Sequence, residues 1–166
     1  MNAMMARILK ALHEIGAIGL MGSMAACVVL VATASRDSLV EYAAIRGGIL
    51  AITKWLVVPS LVLVLVTGLL AIAANNVYKD AGWAWVKAFL GISMFEGTLL
   101  TIQASSRKLA EMTAAAVQSG VSDAAALEPL LRTEWYGLWT MITLSTVNIL
   151  LAVWRPRLRR RSVQDA

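Results

Sequence analysis

The sequence predicts an all-α integral membrane protein, a four-helix bundle whose helices extend beyond the bilayer on one side. Three observations carry that expectation. Residues 15–34, 55–74, 88–106 and 135–154 form four long stretches in which Glu96 is the only charged side chain. Each is close to the roughly 20 residues that a helix, rising about 1.5 Å per residue, needs to cross the hydrocarbon layer. The composition agrees, because 59% hydrophobic and 15% charged residues, with a mean hydropathy of +0.71, lie far from an ordinary soluble domain. None of the four stretches alternates apolar and polar residues as a barrel strand does, so helices, which satisfy their own backbone in lipid, are the expected spanning elements.

The first span opens with Arg7, Lys10, His13 and Glu14 and continues through Gly16, Gly19, Gly22 and Ser23. Helical spacing places His13, Gly16, Leu20, Ser23 and Cys27 on one stripe, whose small residues suit the close approach of another helix or a flat ligand. The run ends in Ala32-Thr33-Ala34, which resembles the cleavage site of a leader peptide, but it exceeds the roughly 7–15 apolar residues of a leader and is read as a span. Ser38-Leu39-Val40-Glu41 fits a capping box and should start the second helix well before its apolar run. That helix passes Arg46 and Lys54 and should bend at Pro59, where one backbone hydrogen bond is lost. Thr67-Gly68 lies in its second half, where a threonine can bond back to its own helix.

A short polar connection at 75–82 leads to Trp83, Trp85 and Lys87, residues suited to a membrane interface. Glu96 then falls near the centre of the third span, with Gln103 seven residues on, along the same stripe. An ionised carboxylate there costs a few kcal/mol, so Glu96 is expected to face the bundle and to be protonated or paired. The third helix should continue past Arg107, Lys108 and Glu111 until Ser119-Gly120 breaks it. Ser122 or Asp123 can cap the fourth, which carries Pro129, Ser145 and Asn148 and ends at Trp154-Arg155-Pro156. One domain is expected, with spans at about 11–34, 50–74, 85–106 and 134–154 and a basic tail at 155–166.

The net charge of +5 owes much to Arg155, Arg157, Arg159, Arg160 and Arg161, directly after the last span. A juxtamembrane cluster of this kind reads as a topology anchor and a contact for anionic lipid rather than for nucleic acid. The tail shares its face with Arg7, Lys10, Lys79 and Lys87, and these outweigh Arg36, Arg46, Lys54, Arg107, Lys108 and Arg132 opposite. The positive-inside rule then puts both termini in the cytoplasm. The one cysteine, Cys27, allows no intrachain disulfide and no multi-cysteine metal site.

His13 is the only histidine, and at the mouth of a span it is either an interfacial residue or a metal or haem ligand. Lys10, Lys79, Lys87 and Arg155 lie on the same face and could meet the propionates of a haem. The motifs Leu9-Lys10-Ala11-Leu12-His13, Pro59 with Thr67-Gly68, Gly82-Trp83 with Lys87, and the closing Arg-Pro-Arg resemble the superfamily of small four-span bacterial proteins that contains HemJ-type protoporphyrinogen oxidase and CopD-type copper-resistance domains. The closest resemblance is to a branch of predicted integral membrane proteins. It implies a bacterial inner-membrane protein binding haem b, with His13 as the iron ligand and Lys87 in the same site. It also implies an oxidoreductase acting on a porphyrin or a quinone. Helices lengthened around 35–50 and 107–132 depart from the compact HemJ pattern and bear on activity more than on fold.

Two other function classes stay open from the residues. One is a copper or small-solute transport domain built on Glu96 and the methionines, although soft-metal sites cluster their sulfur ligands and these are dispersed. The other is a non-catalytic accessory or assembly subunit, in a homo-oligomer or a membrane complex, with His13 merely interfacial.

Overall fold

The computed structural model describes residues 3–74, 79 and 81–154. They form four long helices, α1 (Ala3–Thr33), α2 (Leu39–Ala74), α3 (Gly82–Ser119) and α4 (Ala124–Trp154), each long and apolar enough to cross a membrane. No strand occurs among the described residues. The helices run up and down, so the start of α1 and the end of α4 share one face of the bundle. Most of the 75–82 connection and the arginine tail lie outside the described residues.

Local chemistry explains most of the boundaries. α1 is already helical at Ala3, ahead of Arg7, because Met4, Met5 and Ala6 are good helix formers. Ser38 is the cap of α2, its hydroxyl accepting from the Glu41 amide at 3.4 Å. α3 ends at Gly120, whose φ of +71° costs a residue without a Cβ little and whose amide donates to the Ala116 carbonyl at 2.9 Å. For α4 the cap is Asp123, which accepts from the Ala126 amide at 3.1 Å.

Two helices are interrupted by π turns, Thr53–Val57 in α2 and Thr98–Gln103 in α3. In each, the closing amide reaches back five residues, Val58 to Thr53 and Ala104 to Leu99. The first lies just ahead of Pro59, whose ring crowds the carbonyl four residues earlier, and a wider turn relieves that crowding. The second has no proline near it, so its sequence gives no warning.

The core holds Leu20, Met24 and Cys27 of α1, Ile49, Val57 and Leu61 of α2, Met94 and Ile102 of α3, and Leu138 and Met141 of α4. Ile18, Trp55, Phe89, Leu100 and Val153 point outward, as residues facing acyl chains should. Helices in lipid gain little from burying apolar surface against one another, so close backbone approach matters more. A Cβ on Gly16 would lie 2.9 Å from Val64 Cγ2 and 3.1 Å from the Ser60 carbonyl oxygen, and one on Gly19 would lie 2.6 Å from Ser60 Oγ. Gly137 plays the same part between α4 and α3, against Thr101.

α2 and α3 have 36 and 38 residues. At roughly 1.5 Å per residue they reach about 54 and 57 Å, well beyond a hydrocarbon core of about 30 Å. The surplus packs at the face opposite the termini, where the start of α2 meets the end of α3 and the start of α4.

Gly16→Leu should therefore lower stability by about 1–3 kcal/mol through overpacking against α2. Gly22→Leu, where a Cβ meets nothing within 4 Å, should cost nothing of that kind. Unfolding of both variants in mild detergent checks the contrast.

Candidate functional site

At the face that carries the termini, the α1–α2 approach sets His13 against the second half of α2. Gly16, Leu20, Ser23 and Cys27 of its stripe are buried, and His13 itself is half-buried. Its Nδ1 lies 3.0 Å from the Val64 carbonyl oxygen and 3.1 Å from Thr67 Oγ1. A carbonyl can only accept, so Nδ1 carries the proton and donates. The Thr67 hydroxyl proton goes to the Leu63 carbonyl at 2.6 Å, which leaves its oxygen free to accept from the imidazole. The neutral ring then keeps its lone pair on Nε2. A Cβ at position 68 would lie 3.5 Å from His13 Cε1, an ordinary van der Waals contact, so the ring packs directly beside Gly68. Thr67-Gly68 is thus the seat of the imidazole, which spacing alone did not reveal.

Lys87 of α3 is close enough for its charge to act on His13, as does that of Glu14. Lys10 is exposed one turn before His13 on α1, and Arg155 lies outside the described residues. The described residues contain no cluster of three or more His, Cys, Asp or Glu side chains able to hold a metal. Any metal at His13 would draw a single imidazole from this chain, and that donor set suits the axial position of a haem better than a site built wholly of side chains.

The deep polar residues are arranged differently from expectation. Glu96 is exposed on the outer flank of α3 and does not face the bundle. The reason is register: Met94 and Thr98 take the buried positions on that turn. Gln103 and Asn148 are half-buried, and Asn148 Oδ1 is inaccessible and has no partner among the described residues. Thr98, at the first residue of the second π turn, and Ser145 also have inaccessible hydroxyls without a partner among the described residues.

At the other end lies an ion pair absent from the sequence reading. Arg46 and Glu134 are 1% and 0% exposed, and Arg46 Nη2 donates to Glu134 Oε2. Ser106 Oγ donates to the second carboxylate oxygen at 2.5 Å. Three helices thereby meet on one carboxylate: α2 through Arg46, α3 through Ser106 and α4 through Glu134. The available clue was two opposite charges, each flanking an apolar run at the same face.

Removing one member leaves a buried charge uncompensated, which costs about 3–5 kcal/mol, whereas an apolar pair of similar volume is often tolerated. Arg46→Ala and Glu134→Ala should each destabilise the protein by that order, and Arg46→Met combined with Glu134→Leu should recover most of the loss. Denaturant titration in detergent measures all three.

Four membrane-length helices, locked by glycine contacts and by a buried charge pair, define a small polytopic membrane protein. The chain belongs to the family described as "Predicted integral membrane protein (DUF2269)", whose model matches residues 7–156. No curated protein and no solved structure matches it.

Proposed function

We propose that this protein is a haem b protein of the bacterial inner membrane, with His13 as an axial ligand and a redox role on a porphyrin or a quinone. The supporting observation is the imidazole itself: Nδ1 is fixed by the Val64 carbonyl and the Thr67 hydroxyl, and Nε2 keeps the lone pair that iron requires. Metal-bound histidines typically have their second nitrogen held by a carbonyl or carboxylate in this way, which sets the tautomer and the ring orientation. The resemblance to the HemJ and CopD superfamily points to the same residue. Lys87 and Lys10 would supply cations to the propionates, with Arg155 as a further candidate by sequence. Haem would supply one-electron transfer. The chain's own contribution is to orient the imidazole and to keep the haem at the face that carries the termini, which the distribution of lysine and arginine assigns to the cytoplasm.

A second reading rests on Glu96. A carboxylate on the lipid-facing flank of a span costs a few kcal/mol unless another polar group covers it. That favours an accessory subunit, or a homo-oligomer, in which a neighbouring helix supplies the partner. Copper or solute transport has no comparable observation behind it.

The optical spectrum of the protein purified in mild detergent, from cells supplied with haem precursors, tests the first reading. A Soret band is expected, with α and β bands on reduction. His13→Ala should abolish it while the protein still inserts. Thr67→Val, which removes one of the two acceptors at Nδ1, should shift the spectrum or potential without abolishing binding. A colourless wild-type protein would overturn the haem reading and leave the accessory subunit in front.

A further inference from the structure

Opposite the His13 face, a cleft of about 310 Å³ opens between the end of α1, Arg36, and the first turns of α2 and α4. A second hollow of about 220 Å³ adjoins it, and the two share Arg36, Tyr42 and Leu131 as walls. The larger cleft contains three guanidinium groups: Arg36, Arg46 and Arg132. Glu128, which lines the cleft, and Glu134, which holds Arg46, are already engaged. Glu128 accepts from Arg132 Nε at 3.0 Å, and Glu134 accepts from Arg46 and Ser106. Arg36 sits over the Tyr42 ring at 5.9 Å and makes no ion pair among the described residues.

Arg46 is the decisive group. It is 1% exposed and borders the cleft, and only its Nη2 is used by Glu134. Its Nε–H is inaccessible to solvent and has no acceptor among the described residues. A buried guanidinium donor without an acceptor costs roughly 1–3 kcal/mol or more, so its natural complement is an acceptor of negative charge. A planar guanidinium matches an oxyanion of phosphate or carboxylate type better than any neutral group.

Depth identifies the kind of anion. Trp135, which begins the apolar run of α4, lines the cleft, as do Val31 and Ala32 at the end of the α1 run. Tryptophan and tyrosine at such a boundary sit at headgroup level. The cleft is at the small end of ligand sites, which span about 300–1,000 Å³, so it suits a headgroup rather than a whole lipid. We propose that the Arg36–Arg46–Arg132 cleft binds a phosphate ester, the headgroup of an anionic phospholipid being the source that its depth favours. This site lies at the opposite end of the bundle from His13 and from Trp154, where α4 ends, and it stands or falls independently of the haem reading.

The test is lipid binding to the detergent-purified full chain, followed by native mass spectrometry, with phosphatidylglycerol, phosphatidylcholine and inorganic phosphate as probes. Two variants address the cleft. Arg36→Ala removes an exposed cation that makes no ion pair among the described residues and stacks only on Tyr42, and Arg46→Lys keeps a charge for Glu134 but loses the Nε donor. A third, with Arg155, Arg157, Arg159, Arg160 and Arg161 changed to Gln, addresses the tail. The expected result is one phosphatidylglycerol held in preference to phosphatidylcholine, with affinity weakened roughly tenfold or more in both cleft variants and retained in the tail variant. Inorganic phosphate binding with the same sensitivity and no preference for the lipid would support the oxyanion site and assign it to a soluble phosphate ester. Binding lost only in the tail variant, or no binding of either anionic probe by the wild type, would overturn the proposal.

Discussion

Arg46 and Glu134 carry opposite charges into a place without water, and the fold at the face opposite the termini follows from having to keep them together. Each ion would cost several kcal/mol alone in a low-dielectric interior. Together with the Ser106 hydroxyl they form a three-helix junction that fixes the rotation of α2, α3 and α4 about their axes. Leucine contacts in lipid tolerate rotation and sliding, whereas a carboxylate that must meet a guanidinium and a hydroxyl does not. The long extensions of α2 and α3 make physical sense in this light. They bring Arg46 and Ser106 to the level of Glu134, and Tyr42, Leu109 and Thr113 are buried on the same extensions.

At the other end the constraint is steric. Gly16 and Gly19 let α1 approach the Ser60–Val64 turn so closely that His13, one turn before Gly16, is brought onto the Val64 carbonyl. That carbonyl normally receives only the helix's own amide four residues on, but it has a second lone pair, and the imidazole uses it. The two ends therefore achieve register by different means, a polar junction at one and glycine contacts at the other. Between them lie the two π turns, where each helix takes up an extra residue. Such a residue lets one helix satisfy two registers that an unbroken 3.6-residue repeat would not match.

What the sequence shows and what it hides divide along physical lines. The four spans, the Ser38 cap and the Gly120 break are legible because each depends on residues within a few positions of one another. The seat of His13 is half-legible: the glycine stripe marks a close approach, but nothing in the chain says that the approach ends on Val64. The Arg46–Glu134 pair joins residues 88 apart: charges beside apolar runs at one face mark the candidates, but their order along the chain does not say which of them meet. Glu96 fails for a sharper reason. Depth in a span is read from position, but facing is a matter of rotation, and the π turn that follows at Thr98 alters the helical repeat beyond it.

The outward placement of Glu96 also bears on how the protein exists in a membrane. The bundle already buries one carboxylate with full pairing, so it does not lack the means to satisfy another. An acid left on the outer flank, beside exposed Phe89, Ile92 and Leu100, is instead a polar point on an otherwise apolar stripe. Within hydrocarbon such a group is either neutral or matched by a group from another chain, because the alternative costs a few kcal/mol. Both outcomes leave the α2–α3–α4 junction intact, since Glu96 contributes nothing to it. Glu134 faces inward and joins three helices, whereas Glu96, on the neighbouring helix, faces outward and takes no part in that junction.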